Sequence, residues 1–312
     1  MKNYDKVKAY CEDKGIRFFC DEEMKKHTSF KIGGKVPIFI MPKSVEELSC
    51  LLPVLSENTP FFILGKGSNL LIDDEGIDAV AVLLGNDFAD YKIEGDILIC
   101  EAGMSLSKVC TLAYDEGLSG LEFAYGIPGT VGGAAFMNAG AYGGEMKDIV
   151  LYCEHLDYDG KLHRIKADEL DYAYRHSYYL GKPLCIVRVA MKLTRCNREQ
   201  IRERMDDLIN RRKDKQPLEY PSAGSTFKRP EGAFAAALIE ECGLKGLSVG
   251  GAMVSKKHSG FVINFSDATC EDVLSLIKEV KREVKQKTGY SLECEVMQIK
   301  SDGKTAFATP AD

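Results

Sequence analysis

The chain has 312 residues, 45% hydrophobic and 28% charged, an ordinary globular composition with enough length for two domains. Its formal net charge of −6 argues against a general nucleic-acid-binding surface but leaves room for a local basic pocket. No apolar run is long enough to span a bilayer, and the N-terminus MKNYDKVKAYCEDKG lacks a signal-peptide core, so a cytoplasmic protein without membrane insertion is expected.

The spacing of apolar residues predicts an opening helix over Tyr4–Lys14. Residues 28–42, TSFKIGGKVPIFIMP, read as loop, glycine turn and short strand. Ser44 and Glu47 form a capping-box pattern for a helix reaching Asn58, with Pro53 inside it. Strands are expected at Phe61–Leu64, Leu70–Ile72, 79–84 and 97–100, and Ser105 caps a helix that Gly117 stops. Residues 126–144, GIPGTVGGAAFMNAGAYGG, follow as a glycine-rich run, then strands of an antiparallel sheet at 149–158, 161–165 and 184–193. The character changes near 197, which places a domain boundary there. Beyond it come a charged helix over Arg198–Lys215, a second helix at 234–242, a strand at 261–265, a long amphipathic helix ended by Gly289, and a last strand at 292–300. Residues 301–312 read as a solvated tail.

Eleven cysteines and five histidines are dispersed, with no CxxC and no zinc spacing, so free buried thiols and no metal site are expected. Two glycine-rich segments carry more information. LGKGSNLLI, residues 64–72, is a strand running into a turn whose N–H groups and Ser hydroxyl can meet phosphate oxygens, although taken alone an ordinary tight turn explains it better. It fits neither the Rossmann fingerprint nor the P-loop. The run from Gly126 contains Ile127, Val131, Phe136 and Met137, which are not linker residues. Two such loops suggest one dinucleotide held by both. Further along, Tyr174-Arg175-His176-Ser177 offers a cationic fork, Ser225 sits on a Gly-Ser-Thr turn without a GxSxG elbow, and Glu295 lies on LECEV. By residue type alone, these read as a surface arginine, a turn serine and a surface carboxylate.

In this order, LGKGSNLLI, GIPGTVGGAAFMNAGAYGGE, YRHS and SAGSTFKRP resemble the UDP-N-acetylenolpyruvoylglucosamine reductase family, flavoenzymes that complete UDP-N-acetylmuramate synthesis for peptidoglycan. The resemblance runs from Thr28 to Val296 and looks like the type II branch, which lacks an extra tyrosine-bearing loop. It implies an α+β protein. Residues 1–197 would form a vanillyl-alcohol-oxidase (PCMH) type FAD-binding domain with subdomains 1–83 and 84–197, and 198–300 a smaller α+β substrate lobe.

The resemblance further implies that NADPH reduces FAD and that hydride then passes to the enolpyruvyl group of the nucleotide sugar. Arg175 would bind and polarise the carboxylate, a protonated Glu295 would hydrogen-bond the developing charge, and Ser225 would protonate the carbanion. Gly65, Lys66, Gly67, Ser68 and Asn69 would line the FAD phosphates, with Gly126, Ile127, Pro128, Gly129, Thr130, Gly132, Gly133 and Ala134 as the second wall. Tyr174, Lys215 and Arg229 would contact the nucleotide sugar. A monomer is expected. An oxidase of the same fold is the alternative enzyme, though neither glycine-rich loop holds a histidine to tether a flavin. A non-catalytic flavin or nucleotide-sugar module would have no reason to keep Arg175, Ser225 and Glu295 together.

Overall fold

The computed structural model describes residues 2–303 and 305–307. Two compact units divide the chain: 1–19, 38–66 and 81–212 form the first, and 20–37, 67–80 and 213–312 the second. That division differs from a single cut near 197. The boundary between the units falls within the helix Arg198–Lys215, and two N-terminal segments join the C-terminal residues.

The first unit holds a five-stranded antiparallel sheet in the order Leu162–Lys166, Val150–Asp157, Leu184–Lys192, Ile97–Glu101, Tyr91–Glu94. Its central strand buries Val187, Val189 and Met191 fully, and the helix Val131–Met137 packs on it. That helix is the main departure from the sequence reading. Thr130 caps it by accepting the Gly133 N–H, and Asn138 ends it in a left-handed conformation at φ 43°. Glycine disfavours a helix by about 1 kcal/mol relative to alanine. Tertiary contact overrides this, since a Cβ on Gly132 would lie 2.6 Å from Ala102 Cβ. The edge strand Tyr91–Glu94, mostly exposed and without alternation, was not expected. Nor was the strand Arg17–Glu23.

The helix Val45–Asn58 forms despite Pro53. Proline cannot donate to the Ser49 carbonyl four residues back. Gly160, at φ 80°, packs against that carbonyl so closely that a Cβ there would come within 2.1 Å of it.

In the second unit the helix Cys270–Thr288 buries Val273, Leu276, Ile277, Val280 and Val284 against Phe30, Leu71, Phe227, Ile239 and Val296. Thr269 and Asp272 form its capping box, Gly289 closes it at φ 78°, and Asp74 accepts from the Cys270 N–H at 2.7 Å. The strand expected at 292–300 is Met297–Ile299, shorter than expected and parallel to Leu70–Ile72. Of the expected tail, Thr305–Phe307 pairs antiparallel with that strand. Residues 304 and 308–312 lie outside the described residues. All eleven cysteines are free, and eight are buried as expected, but Cys20 and Cys50 are exposed and Cys196 is partly so. No helix among the described residues is long and apolar enough to cross a membrane.

A buried histidine, His155, and a half-buried one, His258, give an acid-sensitive stability. Burial holds the His155 and His258 pKa values below the usual 6.5, with His163 acting in the same direction on His155 and nearby lysines on His258. The unfolded chain then binds more protons than the folded one between the depressed values and 6.5. Their stabilising effect is complete above about pH 6.5 and is lost as pH falls through the folded values, at no more than about 1.4 kcal/mol per site per pH unit. Thermal melts of His155→Gln should show a smaller fall in midpoint between pH 7 and pH 5 than the parent. An identical fall would show that His155 contributes nothing to the acid loss.

Candidate active site

The strand Phe61–Leu64 delivers the chain to Gly65, where a Cβ would meet Thr130 Oγ1 at 2.3 Å. The two glycine-rich segments therefore touch at Gly65 and Thr130. Gly67 is left-handed at φ 58°, and a Cβ there would lie 2.2 Å from the His27 carbonyl. Gly67→Ala combines a strained backbone with a backbone clash, and should destabilise the protein by about 1–3 kcal/mol, read as a lower thermal midpoint. A midpoint equal to the parent's would show that the loop relaxes freely.

The loops differ in what they offer a ligand. Among the described residues, the amides of Lys66, Gly67 and Ser68 donate to no protein acceptor. In the second loop most amides are already taken: Val131 by Met104 O at 2.8 Å, Gly132 by Ala102 O at 2.9 Å, and Gly133 by Thr130 Oγ1 at 3.3 Å. Ile127 donates to Ala124 O and Ala134 to Thr130 O. Several glycines of the run are thus explained by packing within the protein. Gly126, at φ 84°, would press a Cβ to 2.3 Å from Ile209 Cδ1. Pro128 and Gly133 are exposed, and a Cβ on Gly133 would have no neighbour closer than Thr130 Oγ1 at 3.5 Å. That bare main-chain surface is the cradle the second loop presents.

Tyr174 and Arg175 form a tight turn closed by Ala173 and His176, whose N–H and C=O groups exchange bonds of 3.2 and 3.1 Å. Arg175 takes φ 53°, a conformation usually reserved for Gly or Asn. Its Cζ lies 5.0 Å from the exposed Tyr174 ring, and its Nη2 donates to Gly140 O at 3.4 Å. Ser177, buried, fixes the turn's far end by donating to Phe136 O at 2.6 Å.

The segments that carry Ser225 and Glu295 pair in the second unit. Thr226, next to Ser225 and 1% exposed, donates its N–H to Gly260 O and accepts the Glu295 N–H at 2.8 Å. Its hydroxyl oxygen accepts from Val262 N at 2.9 Å. Phe227 bridges Cys294, and Lys228 N donates to Glu293 O, so 226–228 and 293–295 run antiparallel. Asn69 joins them, donating from Nδ2 to Glu295 O at 3.1 Å and accepting from Met297 N at 2.9 Å. The Asn69 side chain and its backbone carbonyl thus each bind the C-terminal segment. Glu295 is half-buried, while Glu293, on the same face, is exposed and pairs with Lys228.

Lys215 and Arg229 are exposed, and the Arg229 guanidinium rests 4.5 Å from the Phe234 ring. A basic cluster escaped the sequence reading. Lys245 and Lys215 lie close enough to His258 to act with burial in lowering its pKa. Lys257 Nζ donates to Lys213 O at 2.7 Å. The polar run VSKKHSG between two strands was its signal. Arg212 was also missed. It is 6% exposed beside Gly126 and 5.8 Å from the Tyr142 ring, and burial lowers its pKa. In RRKDKQP nothing marks which basic residue turns inward.

Comparison with known proteins bears on both halves of the chain. Residues 36–166 match the family model of an FAD binding domain, and 216–299 that of the UDP-N-acetylenolpyruvoylglucosamine reductase C-terminal domain. UDP-N-acetylenolpyruvoylglucosamine reductase of Syntrophomonas wolfei is 48% identical over 284 residues, 91% of this chain and 95% of that protein. The reductase of Caldanaerobacter subterraneus subsp. tengcongensis is also 48% identical, over 94% of this chain and 96% of its own. The crystal structure of the Thermus caldophilus reductase superposes with a TM-score of 0.77 at 36% identity, covering 91% of this chain and 98% of that one. The α+β architecture and the FAD-binding domain followed by a C-terminal lobe are those expected. Near-half identity across nine-tenths of the sequence, with the same fold and both domain models in order, places this chain in the UDP-N-acetylenolpyruvoylglucosamine reductase family.

Proposed function

We propose that the chain reduces the enolpyruvyl group of UDP-N-acetylglucosamine enolpyruvate to the lactyl ether of UDP-N-acetylmuramate, with NADPH as reductant and FAD as carrier. The observation that supports this reading is the pairing of the segment that follows Ser225 with the segment that carries Glu295, through the Thr226 O to Glu295 N bond of 2.8 Å, in a chain of this family. The loops fit a flavin dinucleotide by chemistry. The amides of 66–68 and the Lys66 ammonium suit a pyrophosphate, and the bare backbone at Gly133 suits a flat ring system or its ribityl chain. A bound FAD would supply a two-electron hydride carrier between NADPH and the enolpyruvyl group.

The protein's own groups do the rest. Arg175 binds the substrate carboxylate through its guanidinium fork and stabilises charge that develops on it. Ser225 holds a proton at Oγ and gives it to the carbon next to that carboxylate. Glu295, protonated, donates to the same developing charge. Its N–H and C=O are fixed by Thr226 and Asn69, which sets the direction of its side chain. Lys215, with Lys245 and Lys257, gives the diphosphate a basic surface, and Tyr174 and Arg229 contact the nucleotide sugar. The purified protein should be yellow, bleach with NADPH under anaerobic conditions, and regain its colour on adding the enolpyruvyl nucleotide sugar. A flavin that stays reduced after that addition would overturn the proposal.

A further inference from the structure

We propose that Asn138 is a positioning residue for Arg175, holding the arginine's turn and its guanidinium support with one side chain. The inference rests on the assignment of Arg175 to the substrate carboxylate. Asn138 is fully buried at the end of the helix Val131–Met137. Its two amide N–H groups donate to different segments, one to Glu145 Oε2 at 2.7 Å and one to Ala173 O at 3.0 Å. Its Oδ1 accepts from Lys147 N at 2.9 Å.

Those partners flank Arg175. Ala173 O opens the Arg175 turn and also accepts from His176 N at 3.1 Å. Glu145 pairs in register with Gly140, the residue whose carbonyl accepts from Arg175 Nη2. Asn138 therefore ties the backbone start of the turn to the short hairpin on which the guanidinium leans. The residue type follows from two demands. The backbone is left-handed at φ 43°, which Asn and Gly tolerate best. The side chain must give two donors and one acceptor at short reach, which an amide provides and a carboxylate does not. Arg175 is itself left-handed at φ 53°, so its turn needs such external support to persist.

The test compares Asn138→Gly, which keeps the left-handed backbone and removes the side chain, with Arg175→Gly and the double variant. Each is measured in both half-reactions, with FAD content recorded. Asn138→Gly should retain FAD and its reduction by NADPH, and slow reoxidation by the enolpyruvyl nucleotide sugar by about 10–100-fold, the cost of a misplaced group. In the Arg175→Gly background the same change should add almost nothing. Equal slowing of both half-reactions, or the same factor in both backgrounds, would overturn the proposal. Should Asn138→Gly lose FAD, Asn138→Asp and Asn138→Asp/Glu145→Gln take its place. The aspartate turns both donors into acceptors, and the Glu145→Gln change supplies an amide donor that restores one bond. Reoxidation should then be partly rescued while NADPH reduction stays constant. No rescue would overturn the proposal. Failure of the parent to reoxidise refutes the assigned reaction itself, and the role given to Asn138 falls with it.

Discussion

Ser225→Ala is expected to leave NADPH-driven bleaching of the flavin near the parent rate and to slow its reoxidation by the enolpyruvyl nucleotide sugar by roughly 10²–10⁴-fold, the range of a lost general acid. The separation is sharp because the hydroxyl is not what holds this segment. The turn is fixed on one side by Gly224 at φ 78° and on the other by Thr226, whose N–H, C=O and hydroxyl are all bonded within the protein. Removing Oγ leaves those bonds intact, so flavin content and thermal midpoint should match the parent. Stopped-flow absorbance of the two half-reactions is the measurement. Slowing both halves equally would make Ser225 structural and leave the proton without an assigned donor.

Arg175→Gly should slow the second half-reaction by about 10²–10³-fold, the usual cost of removing a preorganised group that stabilises developing charge. Glycine is the informative replacement. The residue sits at φ 53°, so alanine would add backbone strain to the loss of charge, whereas glycine removes the guanidinium and keeps the turn. Arg175→Lys retains a positive charge without the planar fork and should recover only part of the rate. If the arginine acts on the reacting carboxylate, the loss falls on the limiting rate of reoxidation as well as on substrate affinity. A loss confined to substrate affinity would mean it binds ground state and transition state equally and gives the developing charge no extra stabilisation.

Local chemistry was legible where it is decided locally. Ser44 and Ser105 cap the helices they were expected to cap, and Gly289 closes the long C-terminal helix in the left-handed conformation. Periodicity located that helix because one face is buried and the other solvated. The strand Tyr91–Glu94 left no such trace, since an exposed edge strand is specified by its neighbour's hydrogen bonds and not by its own alternation.

By itself, the sequence determined the residue types and the order of the motifs, and through their combination the family. It did not determine what the glycines do. The run from Gly126 reads in the sequence as a glycine-rich loop. Only packing against Ala102 and the central sheet strand made part of it a capped helix whose N–H groups are consumed by the protein. Nor could spacing bring residues 226–228 to 293–295, because that proximity is created by antiparallel pairing of segments far apart in the chain. Local signals record hydrogen bonds within a turn or a helix. Long-range pairing and burial depend on which surfaces meet, and that is a property of the folded chain alone.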